Sequence, residues 1–148
     1  EHQATGIVSR IIGRLGSRCV RRGRPLGSVI VGAPTGEHHA LPGAILSDMM
    51  RLRGWDVTDL GADTPAGSFV HAAGRTPELR AVGLSMSNPE HLAALTECCR
   101  LLKREHPTTT VVVGGHGIAD EAQALEIGAD VLALSRDHLR SVLVAASP

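Results

Sequence analysis

Apolar residues follow two rhythms along this chain, one helical at the start and one alternating between strand and helix thereafter. Ala4, Ile7, Val8, Ile11, Ile12 and Leu15 fall close to an i, i+3, i+4, i+7 spacing, which predicts an amphipathic helix over residues 1–15. The helix has no partner helices of its own in the sequence. Arg18-Cys19-Val20-Arg21-Arg22-Gly23-Arg24-Pro25 follows and reads as a solvated basic linker. From Gly27 onward, short apolar runs rich in β-branched residues predict strands at 28–31, 56–60, 81–84, 110–113 and 131–134. Helical spacing fills the gaps at 41–53, 65–73, 89–105, 120–127 and 136–146.

Strands that are apolar on both faces suit a parallel sheet covered by helices on each side. Successive βα units with right-handed crossovers then imply an open, doubly wound α/β domain. We expect the flavodoxin-like five-stranded order 2-1-3-4-5, with a ligand crevice at the C-terminal ends of the first and third strands. The 148 residues suit one domain with a real core. The helix of residues 41–53 is rich in Leu, Ile and Met, which packing on the sheet explains better than a cofactor wall.

Composition removes several classes of function. The formal net charge is zero, so no nucleic-acid or membrane surface is expected from charge alone. No apolar run approaches the roughly 18 residues that span a bilayer, and the polar start Glu1-His2-Gln3 is unlike a secretory leader. Cys19, Cys98 and Cys99 are odd in number and match no zinc spacing, so reduced thiols in a cytoplasmic protein are expected. One Trp, one Phe and no Tyr leave little to stack on a flavin. The chain begins without Met inside a helical pattern and is expected to be a fragment or a processed form.

The predicted crevice receives three loops. Gly32-Ala33-Pro34-Thr35-Gly36-Glu37-His38-His39 follows the first strand, Ser85-Met86-Ser87-Asn88 the third, and Gly114-Gly115-His116-Gly117 the fourth. A phosphoacceptor receiver would need acidic residues after the first strand and Asp at the end of the third, where Ser85 stands. A dinucleotide site would need Gly-x-Gly-x-x-Gly in the first loop, which is absent. Thr35-Gly36 is only partly similar to a flavodoxin phosphate loop. A zinc site from His38, His39 and His116 stays open, although adjacent histidines seldom point at one metal.

Together the loops resemble those of cobalamin-binding domains, from Gly27 onward and over nearly the whole chain. That family's motif is Asp-x-His-x-x-Gly in the first loop, then Ser-x-Leu, then Gly-Gly. Glu37-His38-His39 stands at Asp-x-His, Ser85-Met86-Ser87 at Ser-x-Leu and Gly114-Gly115 at Gly-Gly. The stretch from Gly54 to Pro65 and the run Ile127-Gly128-Ala129-Asp130 are similar to the family as well. Three departures stand out: Glu37 replaces Asp, Pro42 takes the Gly position with Gly43 one step later, and Ser87 replaces Leu.

The resemblance implies cobalamin as cofactor, carrying an adenosyl or methyl group, with His39 as the lower axial ligand to cobalt. Glu37 would hold the other ring nitrogen of His39, and His38 would be the bystander unless the loop is re-registered. Ser85, Ser87 and Asn88 would bond the nucleotide tail, Gly114 and Gly115 would let it approach, and His116 lies either over it or in solvent. Glu in place of Asp resembles the light-responsive, cobalamin-sensing regulators of the MerR type, whose preceding helical bundle ends in a Glu-His pair. Glu1-His2 stands there, which implies that His2 faces the upper side of the corrin.

Residues 1–25 would then be the last helix of a helical cap bundle plus linker, and 26–148 the cobalamin-binding domain. The expected function is a sensory domain of a regulator, not an enzyme on its own. It would partner a helical bundle or a second protein domain over the upper face, with a homo-oligomer left open and no direct nucleic-acid contact. The alternatives are a corrinoid methyl carrier of a methyltransferase, the coenzyme module of a mutase, and a cofactor-free interaction domain. His71, His91, His106 and His138 read as surface residues.

Overall fold

In a computed structural model, residues 24–133 are described, and within them the alternation becomes ten elements. Strands β1 (Ser28–Gly32), β2 (Asp56–Asp59), β3 (Leu79–Ser85), β4 (Thr110–Gly114) and β5 (Val131–Ala133) form one sheet. Helices α1 (Ala40–Leu52), α2 (Ala66–Arg75), α3 (Leu92–Glu105) and α4 (Glu121–Glu126) lie between them. A short 3-10 turn at Pro89–His91 leads into α3. The expected N-terminal helix with His2, and the expected helix at 136–146 with His138, fall outside the described residues.

Every strand pair is parallel and the order is β2-β1-β3-β4-β5, as expected from the sequence. The chain builds outward from β1 to β2, then crosses back to place β3 on the other side of β1. Such a reversal is where open parallel sheets place their ligands, at the C-terminal ends of β1 and β3, where the chain departs in opposite directions.

Alternation along the strands divides the core in two. Ile30, Val82, Leu84, Val111 and Val113 face one side and meet Phe69 of α2 and Leu95 and Leu102 of α3. Val29, Val31, Val57, Ala81 and Val112 face the other and meet Met50 of α1 and Trp55. Strand β1 is buried along its whole length, as a central parallel strand should be. Strand β2 differs from expectation: Asp56, Thr58 and Asp59 are exposed and only Val57 points inward. As an edge strand it is covered on one face only, and its charged residues discourage pairing with another chain.

The helix expected over 89–105 is divided, for a local reason. Asn88 Oδ1 accepts the Glu90 N–H at 3.1 Å and Pro89 occupies the first position, so the chain turns tightly before α3 begins. Two histidines expected on the surface are half-buried instead. His106 ends α3 with Nε2 3.1 Å from the Val70 carbonyl oxygen, tying α3 to α2. His91 closes the 3-10 turn and packs on the loop after β1. Among the described residues no helix is long and apolar enough to cross a membrane.

Candidate functional site

The loop after β1 opens with a turn in which the Glu37 N–H donates to the Pro34 carbonyl at 3.0 Å. Its third residue, Gly36, has φ +88°, the positive value that a type II turn requires there and that glycine adopts without strain. The turn is braced from the β2 side. The Ala33 N–H donates to Gly61 O at 2.8 Å, the Thr64 N–H to Ala33 O at 3.0 Å, and Pro34 bridges to Thr64.

The turn delivers Glu37 into the protein and His39 out of it. The Glu37 side chain is 1% exposed and that of His39 is 67% exposed. Oε2 of Glu37 accepts the backbone N–H groups of Ser87 (2.6 Å) and Asn88 (3.1 Å) from the loop after β3. Oε1 accepts the His39 N–H at 3.1 Å and bonds His39 Nδ1. Burial by itself raises the Glu37 carboxyl. The Ser87 N–H, the His39 ring, the His39 N–H and the Asn88 N–H outweigh it and hold the group at about 2. An ionised carboxylate only accepts hydrogen bonds, so Nδ1 of His39 is the donor, and in the neutral ring that tautomer leaves the lone pair on Nε2.

Around this pair the remaining expected residues take different places. His38 is exposed, as is His116 in the loop after β4. Ser85 ends β3 half-buried, and Ser87 and Asn88 are half-buried beyond it. Gly43 sits in the first turn of α1 with nothing within 4 Å of where a Cβ would be. Gly114 lies against Ala133, and a Cβ on Gly115 would stand 2.2 Å from the Met86 carbonyl oxygen. The Met86 N–H donates to Gly114 O (2.9 Å) and the Gly117 N–H to Met86 O (3.0 Å). Gly115 therefore lets the β4 loop close onto the β3 loop, while Gly114 lies against β5, structural demands separate from any approach to a bound tail. His2 is outside the described residues.

Two contacts were not foreseen. The His91 ring lies over Gly36, with Nδ1 2.7 Å from where a glycine Cβ would project. Asp63, in the loop after β2, accepts the Gly36 N–H on Oδ1 at 2.8 Å. Its φ of +52° was detectable in principle, because Asp within Gly61-Ala62-Asp63-Thr64-Pro65 is a residue that tolerates that region. Nothing local marks His91, whose contact is made across the fold.

Among the described residues no three His, Cys, Asp or Glu side chains assemble as a metal site, so His38, His39 and His116 do not form a zinc site. What the loops offer is one outward imidazole, its Nδ1 held by a buried carboxylate, beside open space at Gly43. That donor set fits a metal that brings its own equatorial ligands and needs one axial nitrogen. A corrin-bound cobalt is such a centre.

The fold is a doubly wound parallel α/β domain whose first and third loops meet at the β1–β3 reversal. The chain belongs to the B12 binding domain family, whose model matches residues 27–143, and cobalamin is the cofactor of that family. Dimethylamine corrinoid protein 2 of Methanosarcina mazei is 33% identical over 112 residues, covering 74% of this chain and 51% of that protein. The HTH-type transcriptional repressor CarA of Myxococcus xanthus is 32% identical over 98 residues, covering 65% of this chain and 33% of that protein. The chain spans about half the length of the corrinoid proteins it matches.

Among solved structures, a cobalamin-binding protein of Desulfitobacterium hafniense superposes with a TM-score of 0.74 at 22% identity, covering 84% of this chain and 60% of that one. The monomethylamine corrinoid protein of Methanosarcina barkeri gives 0.74 at 20% identity, covering 88% and 63%. These likenesses show the same fold.

Proposed function

We propose that this chain is the cobalamin-carrying part of a methyl-transfer protein, with His39 Nε2 beneath the cobalt. The single observation that carries the reading is the Glu37–His39 pair, a buried carboxylate fixing the tautomer of an exposed imidazole. Bound cobalamin supplies a metal that can accept and release a methyl group. The protein's part is to hold and tune it. Glu37 keeps the proton on Nδ1 and makes the ring a stronger donor at Nε2. Ser85, Ser87 and Asn88 bond the nucleotide tail, beside Gly43, Gly114, Gly115 and His116.

The corrinoid proteins among the relatives favour a carrier over the regulator that the sequence reading placed first. A carrier is not itself the catalyst, and its partner would be a methyltransferase meeting the upper face of the corrin. Whether His2 and a helical cap lie over that face belongs to the same proposal. The likeness to CarA, together with Glu at position 37, supports a second reading as a cobalamin-sensing domain.

The test is a visible spectrum after dark incubation with methylcobalamin or adenosylcobalamin and desalting, beside His39→Ala. Wild type should retain a red, His-ligated cobalamin that the variant loses or holds in a yellow, base-off form. Retention of the same spectrum by both proteins would exclude His39 as the ligand. Methyl transfer from the loaded protein to a thiol acceptor, with its partner enzyme, favours the carrier. A change of spectrum and elution volume under green light favours the sensor instead.

A further inference from the structure

We propose that Asp63 is a positioning residue that sets the register of the lower-ligand loop, so that His39 and not His38 is presented to the cobalt. The inference rests on the reading of His39 as axial ligand. Two histidines stand side by side in this loop, and a slip of one residue would exchange them. Glu37 Oε1 holds the His39 ring and N–H, and the main chain just before the pair decides which of the two rings that carboxylate meets.

Asp63 acts there from both ends of one residue. Its Oδ1 accepts the Gly36 N–H at 2.8 Å, and its own N–H donates to the Glu37 carbonyl oxygen at 2.8 Å. Asp63 makes both bonds at φ +52°, a region that Asp and Asn enter more readily than other side chains. The next residue continues the clamp, with the Thr64 N–H on Ala33 O and the Thr64 hydroxyl on Leu60 O, each at 3.0 Å.

Glu37 is thereby held by two different loops. Its main chain is fixed from the β2 side by Asp63, and its carboxylate from the β3 side by the Ser87 and Asn88 N–H groups. The carboxylate bonds alone fix a flexible side chain, which could follow a shifted backbone. The Asp63 bonds fix the backbone itself. With both in place, the ring that reaches Oε1 is that of His39.

The test uses the full chain loaded with Co(II) cobinamide, a corrinoid without a nucleotide base, so that any axial nitrogen comes from the protein. Nitrogen hyperfine structure in its electron paramagnetic resonance spectrum reports imidazole ligation, and titration reports affinity. Asp63→Ala would strain the backbone as well as remove the acceptor. Asp63→Gly keeps the left-handed conformation and deletes only the Oδ1 bond, and Asp63→Asn keeps both. We expect Asp63→Gly to bind about tenfold more weakly, the scale of one lost hydrogen bond, and, when combined with His39→Ala, to recover from His38 a nitrogen coupling that His39→Ala alone lacks. Asp63→Asn should match wild type.

If Asp63→Gly matches wild type in affinity and restores no nitrogen coupling to His39→Ala, while His39→Ala alone loses both, the Asp63 proposal is overturned and the His39 reading stands. If wild type shows no nitrogen coupling, the His39 reading fails and this inference fails with it. Thermal melts of the cofactor-free variants separate a general loss of fold from a loss confined to ligation.

Discussion

The Ser87 backbone N–H donates to the Glu37 carboxylate at 2.6 Å, joining residues fifty apart in sequence. Through this bond the loop after β3 holds the side chain that in turn holds His39. An exposed imidazole is thereby oriented by a carboxylate that solvent hardly reaches. The strength of the site comes from that contrast, since a carboxylate in water would lose much of its hold on the ring through competition with solvent.

Replacing Glu37 with Gln preserves its volume but removes the charge that four donors share. Hydrogen bonds to a charged group contribute about 1.5–3 kcal/mol, so Glu37→Gln should lower the stability of the cofactor-free domain by about 2 kcal/mol. Urea unfolding at pH 7 measures this directly, and an unchanged midpoint would show that the buried carboxylate is not holding the two loops together.

The same residue sets an acid dependence. Its carboxyl is held at about 2 in the folded protein, against an ordinary 4.5. Its contribution to stability is therefore complete above about pH 4.5 and is lost as the pH falls toward 2. The stability gap between wild type and Glu37→Gln should be widest near neutrality and should close below pH 4. A gap that stays constant from pH 7 to pH 3 would contradict this.

Two glycine substitutions should behave in opposite ways. Gly115→Ala places a methyl group 2.2 Å from the Met86 carbonyl oxygen at a residue with φ +111°, and should cost about 3 kcal/mol or more or prevent folding. Gly43→Ala meets nothing within 4 Å inside a helix, and should stabilise the cofactor-free domain by about 0.5 kcal/mol. It should weaken cobalamin binding if the corrin approaches this turn. Paired melting and cobalamin-titration curves check both.

Cys98 and Cys99 are buried on α3, and neither should react in the native state. Burial, with Glu97 nearby, pushes the Cys98 thiol up to about 12, and burial, with Cys98 and Asp130, does the same for Cys99. At pH 8 the thiolate fraction of either is then on the order of one in ten thousand. Iodoacetamide at pH 8, read by peptide mass spectrometry, should leave both unmodified until urea is added.

Much of this protein was legible in one dimension. Strand and helix placement within residues 24–133 and the Glu37-His39 spacing follow from local patterns, because apolar periodicity records which faces are buried and a short loop motif keeps its donors together in sequence. The boundaries moved by a residue or two, and the helix expected over 89–105 was divided by Asn88-Pro89. The one-sided edge at β2 was also written in Asp56-Val57-Thr58-Asp59, as alternation rather than an apolar run.

Tertiary structure decided what distant residues do to one another. No pattern near Glu37 announces that the Ser87 and Asn88 N–H groups will complete its shell, or that Asp63 will clamp its backbone. The glycine at 115 reads as a turn residue until the Met86 carbonyl appears against it. The sequence named the imidazole and its carboxylate. Only the packing of three loops at the β1–β3 reversal buried one and exposed the other, because burial and orientation arise from contacts between chain segments that local composition cannot encode.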